Sequence, residues 1–141
     1  MTRKSEIIGQ KEYAFYKIPA FQANAILLKL QKLVLPVIGE MTSGKGLDMD
    51  MRQVADAVSA KLDDSVMSDI IMPMFKLANV ASVTDNVKID SPVNFDKVFS
   101  VDELGDFYEL VFEVLKYNYG NFFGSLAARF GSKSGDPVTK G

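Results

Sequence analysis

The segment closest to a known chemical motif is GEMTSGKG, residues 39–46, which resembles the start of a phosphate-binding loop. Gly39 and Gly44, followed by Lys45, agree with the pattern G-x-x-x-x-G-K-[ST] as far as the lysine. The next position should carry a hydroxyl for magnesium, but it is Gly46. The motif also requires a strand before it and a helix directly after its lysine, whereas the apolar pattern here predicts a long helix before Gly39 and more loop after Lys45. We interpret the segment as a connector.

Carboxylates are the other side chains that could do chemistry. Asp63 and Asp64 are neighbours in sequence, so on a helix their side chains would point apart. Asp106, Glu109 and Glu113 do share a helical face, which is the arrangement that a carboxylate metal site would need. Lysine at position 116 continues the same stripe, and this favours a solvated helix face over a metal site.

The residue types that are missing exclude most catalytic mechanisms. The chain has no cysteine and no histidine, which removes thiol chemistry, the commonest general base and the commonest zinc ligand. The Glu-x-x-His pattern of di-iron bundles cannot occur, and Ser-x-x-Lys spacing is absent. We therefore predict a protein that is not an enzyme and that carries no cofactor and no metal. An enzyme that uses only carboxylates and lysines is the remaining catalytic alternative.

Composition and charge bear on the compartment and the partners. With 48% hydrophobic and 11% aromatic residues, the chain can form a folded core. The net charge of −2 leaves no electrostatic footprint for nucleic acid. The first residues lack the apolar core of a signal peptide and no apolar run is long enough to span a membrane, so we expect a soluble, cytoplasmic protein.

The charges are unevenly distributed along the chain. Residues 1–45 carry seven basic and three acidic side chains, residues 46–113 carry five and fourteen, and the remainder carries four and one. The balances are therefore +4, −9 and +3. Such asymmetry could steer a partner or favour self-association. Alternatively, the two ends fold against an acidic middle.

The order of apolar and turn-forming residues predicts a mainly helical α+β protein. Residues 6–18 predict an N-terminal β-hairpin around the turn GQK. A small helical bundle follows. Within it, the sequence predicts a second hairpin of two short strands around Asp85 and Asn86. The predicted helices are residues 20–38, bent near Pro36 and ended by Gly39; 51–62; 65–78, kinked at Pro73; and a short helix or turn at 92–99. On the first of these helices the apolar set assigned to the inner face is Phe21, Ile26, Leu27, Leu30, Leu33, Val34, Val37 and Ile38.

A long C-terminal helix is the most informative element. Ser100 and Glu103 form a capping box before it, and residues 102–130 are apolar around most of the helix circumference. Gly120 and Gly124 predict a break near Asn121. We assign residues 1–130 to a single domain and 131–141 to a flexible tail.

The wide apolar face of this helix has two interpretations. The helix is either a central one wrapped by its own domain, or it presents an aromatic strip to a partner or to another copy of the chain. Seven methionines favour an adaptable binding surface to a small degree, although core filling explains them as well. The residues predicted to contact a partner are Phe107, Phe112, Tyr119, Phe122 and Phe123.

Three segments together resemble a known family. They are YAFYKIPAFQANAILLKLQKLVLPVIG (13–39), PVNFDKVF (92–99) and FYELVFEVLKYNYGNFFG (107–124). Their order and their apolar and aromatic pattern resemble the tail assembly chaperones of long-tailed bacteriophages or prophages, over most of residues 10–125. The resemblance rests on this pattern and not on a catalytic signature.

The resemblance implies a small, mostly helical protein of the host bacterial cytoplasm that acts during virion assembly. It implies a non-enzymatic chaperone that binds the tape measure protein and keeps it soluble until tail tube subunits polymerise around it. The partners would be the tape measure protein and further copies of the chain, with the tail tube protein as a further candidate and with no nucleic acid and no membrane. The alternative from another class is a structural tail or neck subunit that stays in the virion.

Overall fold

A computed structural model describes residues 3–41 and 51–135 of the chain; the side chains at 35, 37–41, 51, 124 and 126–135 are not among the described groups. Helices dominate this part of the chain, and its strands form a single sheet. In chain order the strands and α-helices are β1 Arg3–Ile8, β2 Lys11–Tyr16, α1 Ala20–Met41, α2 Met51–Ala60, α3 Asp64–Val66, α4 Met72–Leu77, β3 Ala81–Ser82, β4 Val87–Lys88, α5 Pro92–Val98 and α6 Leu104–Gly135. The α+β, mainly helical fold class, with an N-terminal hairpin and a long C-terminal helix, is confirmed.

The N-terminal hairpin turns through two residues, Gly9 and Gln10. Glycine is required at the first of them because its φ is +62°, in the left-handed region that a Cβ disfavours. The strands pair in antiparallel register, with Ile8 opposite Lys11. Tyr13 and Phe15 alternate along β2 and are both buried, as the period of two requires for a face packed on the core.

A second hairpin joins the first, so that the sheet has four strands in the order β1-β2-β3-β4. Asn86 adopts a φ of +57° in the turn between β3 and β4, which confirms the predicted hairpin. The pairing of β2 with β3 was not predicted, because it joins segments that are about seventy residues apart in sequence.

Helix α1 is longer than predicted, because neither Pro36 nor Gly39 ends it. Ile26, Leu30 and Val34 form its buried stripe. The assignment of Phe21 to the inner face is wrong, since 90% of its surface is exposed. In the connector at 39–46, residues 42–46 lie outside the described part of the chain. The helix reaches Met41, so the segment before Lys45 is a helix and not the strand that a phosphate-binding loop requires.

The helix predicted at 65–78 consists of α3, a turn of π-helix at Met67–Ile71, and α4. The irregular turn lies just before Pro73, which cannot donate the backbone hydrogen bond of a regular helix. Asp63 is the N-cap, because its Oδ1 accepts a hydrogen bond from the Val66 amide at 2.8 Å.

Helix α6 is continuous from Leu104 to Gly135, so the predicted break near Asn121 is wrong. A glycine within a helix costs about 1 kcal/mol relative to alanine, which tertiary packing of the neighbouring rings can offset. The capping box is confirmed, since the Ser100 amide donates to Glu103 Oε1 at 2.9 Å. The helix also includes residues 131–135 of the predicted tail, and 136–141 lie outside the described residues.

The apolar surface of α6 is covered from several sides. The sheet contributes Phe15, whose ring meets Tyr117 edge-on at 5.7 Å between centroids. Helix α4 contributes Phe75, whose ring meets that of Phe107 edge-on, with 6.1 Å between the centroids. The residues of α6 that this packing buries are Phe107, Leu110, Val111, Phe112, Val114, Leu115, Tyr119 and Phe123. Of the two interpretations of this helix, the central helix wrapped by its own domain matches the structure.

Candidate functional site

The structure separates the five aromatic residues predicted to contact a partner. Phe107, Phe112, Tyr119 and Phe123 are buried within the chain itself. Phe122 is half-buried and lines a groove at the surface. Contact of the five with a partner stays a prediction, and two of them, Phe122 and the buried Tyr119, line this groove.

Phe107 lies at the centre of an aromatic cluster. Its ring is 4.8 Å from that of Phe95 and 5.7 Å from that of Phe99, both in edge-to-face geometry. Tyr13 stacks on Phe99, with 5.9 Å between the ring centroids. Such offset and edge-on pairs stabilise a core beyond the area they bury. The cluster therefore ties α6 to α5 and to the sheet.

Phe112 is covered by a charged side chain from α2. The Arg52 guanidinium lies 3.7 Å from its ring centroid, within cation–π range. The same guanidinium donates two hydrogen bonds to the Glu109 carboxylate, at 3.1 and 3.2 Å, and this contact raises the pKa of Arg52. Glu109 of the predicted carboxylate stripe thus has a structural partner.

The remaining carboxylate candidates do not converge. Glu113 is largely covered, and its Oε1 lies 3.6 Å from Lys116 Nζ. Among the residues the structure describes, no group of three or more acidic side chains could hold a metal ion. Asp63 serves as the helix cap noted above.

Lys11 connects the basic N-terminal segment to the acidic middle. Its ammonium donates to the Val98 carbonyl at 2.6 Å and lies 2.9 Å from Asp85 Oδ2 and 3.9 Å from Glu103 Oε2. The hydrogen bond from Lys11, followed by that from Ser82, lowers the pKa of Asp85. This contact matches the interpretation in which the N-terminal end folds against the acidic middle.

The surface cavity that Phe122 lines is a groove between α1 and α6. It has a volume of about 310 Å³ and is lined by Lys17, Ile18, Ala20, Ala23, Asn24, Leu27, Asn118, Tyr119 and Phe122. We call it the α1–α6 groove. Most of its wall is apolar, with amide and ammonium groups at its rim, which is the usual composition of a binding cleft.

Hydrogen bonds from α6 to the opposite wall hold the groove in shape. The Tyr119 hydroxyl donates to the Ala23 carbonyl at 3.1 Å, and burial of that phenol raises the pKa of Tyr119. Asn118 Oδ1 accepts from the Ile18 amide at 2.8 Å, and its amide nitrogen donates to the Tyr16 carbonyl at 3.3 Å. The Lys17 ammonium donates to the Tyr117 carbonyl. The groove is therefore preformed.

A second apolar stripe runs along the outer face of α1. It consists of Phe21, Ala25 and Leu28, all of them exposed, with 90% of Phe21 and 53% of Leu28 accessible to solvent. The positions i, i+4 and i+7 place them on one face of the helix. This spacing was visible in the sequence, but Phe21 was assigned to the inner face and Leu28 was not selected.

Basic side chains accompany this stripe. Lys29 and Lys32, both exposed, belong to the same helix, and Lys17 lines the groove. Lys29 also donates to the Asp69 carbonyl at 3.3 Å. The outer side of α1 therefore combines apolar and positively charged groups.

Comparison with known families bears on what this surface does. A family model described as phage tail assembly chaperone protein, TAC, matches residues 9–131. The chain belongs to this family. The match covers both walls of the α1–α6 groove and the whole sheet apart from β1. No curated protein and no solved structure matches the chain.

Membership in the phage tail assembly chaperones agrees with the resemblance found in the sequence. The role of this family in assembling a tail is a non-catalytic one. Within the described residues, no helix of the tail assembly chaperone is both long and apolar enough to cross a membrane.

Proposed function

We propose that the chain binds the tape measure protein in the host cytoplasm and keeps it soluble during tail assembly. The observation that carries this proposal is the exposure of Phe21 and Leu28 beside the preformed α1–α6 groove, in a member of the tail assembly chaperone family. Large aromatic side chains that are almost wholly exposed are typical of interaction surfaces.

The surface is suited to an amphipathic helix. A helical client would place apolar side chains against Phe21 and Leu28 and insert one into the α1–α6 groove beside Phe122, as helix-in-groove recognition requires. Lys17, Lys29 and Lys32 favour acidic residues along the edges of that helix. A long helical client would offer this pattern repeatedly, so that several copies of the chain would coat it.

Co-expression with the tape measure protein tests the proposal. We expect a soluble complex in size-exclusion chromatography with light scattering, and a client that is insoluble when expressed alone. The variants Phe21→Ser, Leu28→Ser and Phe122→Ser should each reduce the amount of client recovered in the soluble fraction, and the double variant Phe21→Ser/Leu28→Ser should abolish recovery.

Matched controls come from apolar side chains of similar exposure outside the groove. Val101 is 82% exposed and Val93 is 67% exposed, and both lie outside helix α1 and outside the lining of the α1–α6 groove. Val101→Ser and Val93→Ser should leave recovery unchanged. Equal loss in the control variants and in the variants of Phe21, Leu28 and Phe122, or full recovery in the latter, would refute this surface as the client site.

The alternative function, a tail or neck subunit retained in the virion, makes an opposite prediction. Mass spectrometry of purified particles should detect a retained subunit in fixed copy number. We expect the chain to be absent from particles and present in assembly intermediates, and its presence in finished particles would favour the alternative.

A further inference from the structure

Strand β1 forms one edge of the four-stranded sheet. Within the part of the chain that the structure describes, no strand pairs with the outer side of β1, and 69% of Ile7 is exposed. An open edge of six residues can accept a further strand. We propose that two copies of the chain associate through antiparallel pairing of their β1 strands, which would form one eight-stranded sheet. This proposal does not depend on the client-binding role.

The direction of the backbone groups in the sheet shows which residues are available. In β2, the Glu12 carbonyl accepts from the Val83 amide at 2.8 Å and the Tyr16 amide donates to the Ala78 carbonyl at 2.8 Å. Glu12 and Tyr16 thus direct their backbone groups away from β1. Backbone direction alternates along a strand, so Ala14, between them, does the same.

The residues of β1 opposite these three are Ile7, Ser5 and Arg3. They lie in non-hydrogen-bonded positions of the hairpin, and their N–H and C=O groups point out of the sheet edge. Pairing β1 with a second copy so that Ser5 faces Ser5 also places Arg3 opposite Ile7. All three positions then meet outward-facing groups of the other copy, which allows about six backbone hydrogen bonds.

Charge selects this register. With Ser5 on the two-fold axis, Lys4 of one copy faces Glu6 of the other, twice in the dimer. Shifting the register by one hydrogen-bonded pair in one direction places Lys4 opposite Lys4, and in the other direction Glu6 opposite Glu6. Opposite charges across a strand pair stabilise it and like charges destabilise it. Both side chains are partly exposed and therefore accessible, at 38% for Lys4 and 32% for Glu6.

Loss of one backbone donor is the first test. The Ser5 amide points outward, so Ser5→Pro should leave the hairpin paired while it removes one donor from each copy. We expect the wild type, with any tag at the C-terminus, to dimerise with rising concentration in sedimentation velocity, and Ser5→Pro to raise the dissociation constant more than about tenfold. Ser5→Ala is the matched control, since it keeps the amide, and it should dimerise as the wild type does.

A charge exchange tests the cross-strand pairing of β1 even if the proline variant misfolds. Lys4 also bonds Glu6 within its own chain, at 3.0 Å, so a double swap alone would not separate the two contacts. Lys4→Glu and Glu6→Lys each place like charges both within the chain and across the interface. Mixed together, they form a heterodimer in which both cross-strand pairs are attractive, while the pair within each chain stays repulsive.

We therefore expect each single variant alone to be monomeric and the equimolar mixture to dimerise. Differently tagged variants, captured through one tag, report the heterodimer directly. A wild-type chain that is monomeric at all concentrations, association that Ser5→Pro leaves unchanged, or a mixture that associates no better than its components would each overturn the proposal. Circular dichroism of each variant establishes that the monomer is folded.

Discussion

The Tyr119 hydroxyl of α6 donates a hydrogen bond to the Ala23 carbonyl of α1, at 3.1 Å between the two oxygens. This bond joins the two helices across the α1–α6 groove, whose lining includes both residues. The Tyr119 side chain is buried, so this bond fixes the separation of the two groove walls from inside the protein. The same residue was predicted to contact a partner, and its buried position gives it a role in shaping the site.

Removing this hydroxyl should weaken the fold by a small, measurable amount. We expect Tyr119→Phe to lower the free energy of unfolding by about 1 kcal/mol, since an average hydrogen bond contributes that much. Urea denaturation checks this value, with the partly exposed Tyr108→Phe as control. Equal effects of the two variants would contradict a specific bond to Ala23.

Two glycines should respond in opposite directions to alanine. A Cβ at Gly9 would lie 2.5 Å from Asp106 Oδ2 and would be attached to a residue with positive φ, so Gly9→Ala should destabilise the protein by at least about 1–2 kcal/mol. Gly105 lies at the start of α6, and a Cβ at this position would meet no atom within 4 Å outside its own stretch of helix. Gly105→Ala should therefore stabilise the protein by about 0.5–1 kcal/mol. Thermal unfolding of both variants decides the point, and a stable Gly9→Ala protein would argue against the turn geometry.

The neighbouring rings of Phe122 and Phe123 should separate binding from stability. Phe123 is fully buried, so Phe123→Ala should cost about 3–5 kcal/mol of folding free energy. Phe122 lines the groove and is only half-buried, so Phe122→Ala should cost clearly less and leave a folded chain. Chemical denaturation of the two variants side by side measures both costs. A larger loss at Phe122 than at Phe123 would reverse the assignment.

Stability should depend on pH through Asp85. Its pKa is lowered in the folded state from a reference value of 3.8, first by the hydrogen bond from Lys11 and then by that from Ser82. A lowered folded pKa means that this stabilisation is fully present above the unfolded pKa and is lost as the pH falls through the folded value. We expect Asp85→Asn to cost about 1 kcal/mol at pH 7, because the carboxylate partly faces solvent.

The difference between wild type and Asp85→Asn should shrink as the pH falls from about 4 towards 2. Urea denaturation across this range measures it. Asp96→Asn, at an exposed position of α5, serves as the control, and we expect its effect to be small at pH 7. A cost for Asp85→Asn that is constant across the range would show that the Lys11 contact does not carry the effect.

Interactions between residues close in sequence determined most of the helices and strands. The two-residue turn with Gly9, the capping box of Ser100 and Glu103, and the apolar periodicity of α1 and α6 act over a few neighbouring residues. Such short-range rules also sufficed to exclude a phosphate loop and to predict the mainly helical class. The family was likewise recognisable from the order of apolar and aromatic residues, and the match over residues 9–131 supports it.

Tertiary structure decided which apolar surface is covered. The helix α6 is apolar on nearly every side, and no local rule states that the sheet, α4 and α2 will bury Phe107, Phe112 and Phe123 while Phe21 stays in solvent. The pairing of β2 with β3 and the bond from Tyr119 to Ala23 join residues that are about 70 and 96 positions apart. Contacts of this kind depend on the packing of the whole chain, so the groove and the open edge of β1 became visible only in three dimensions.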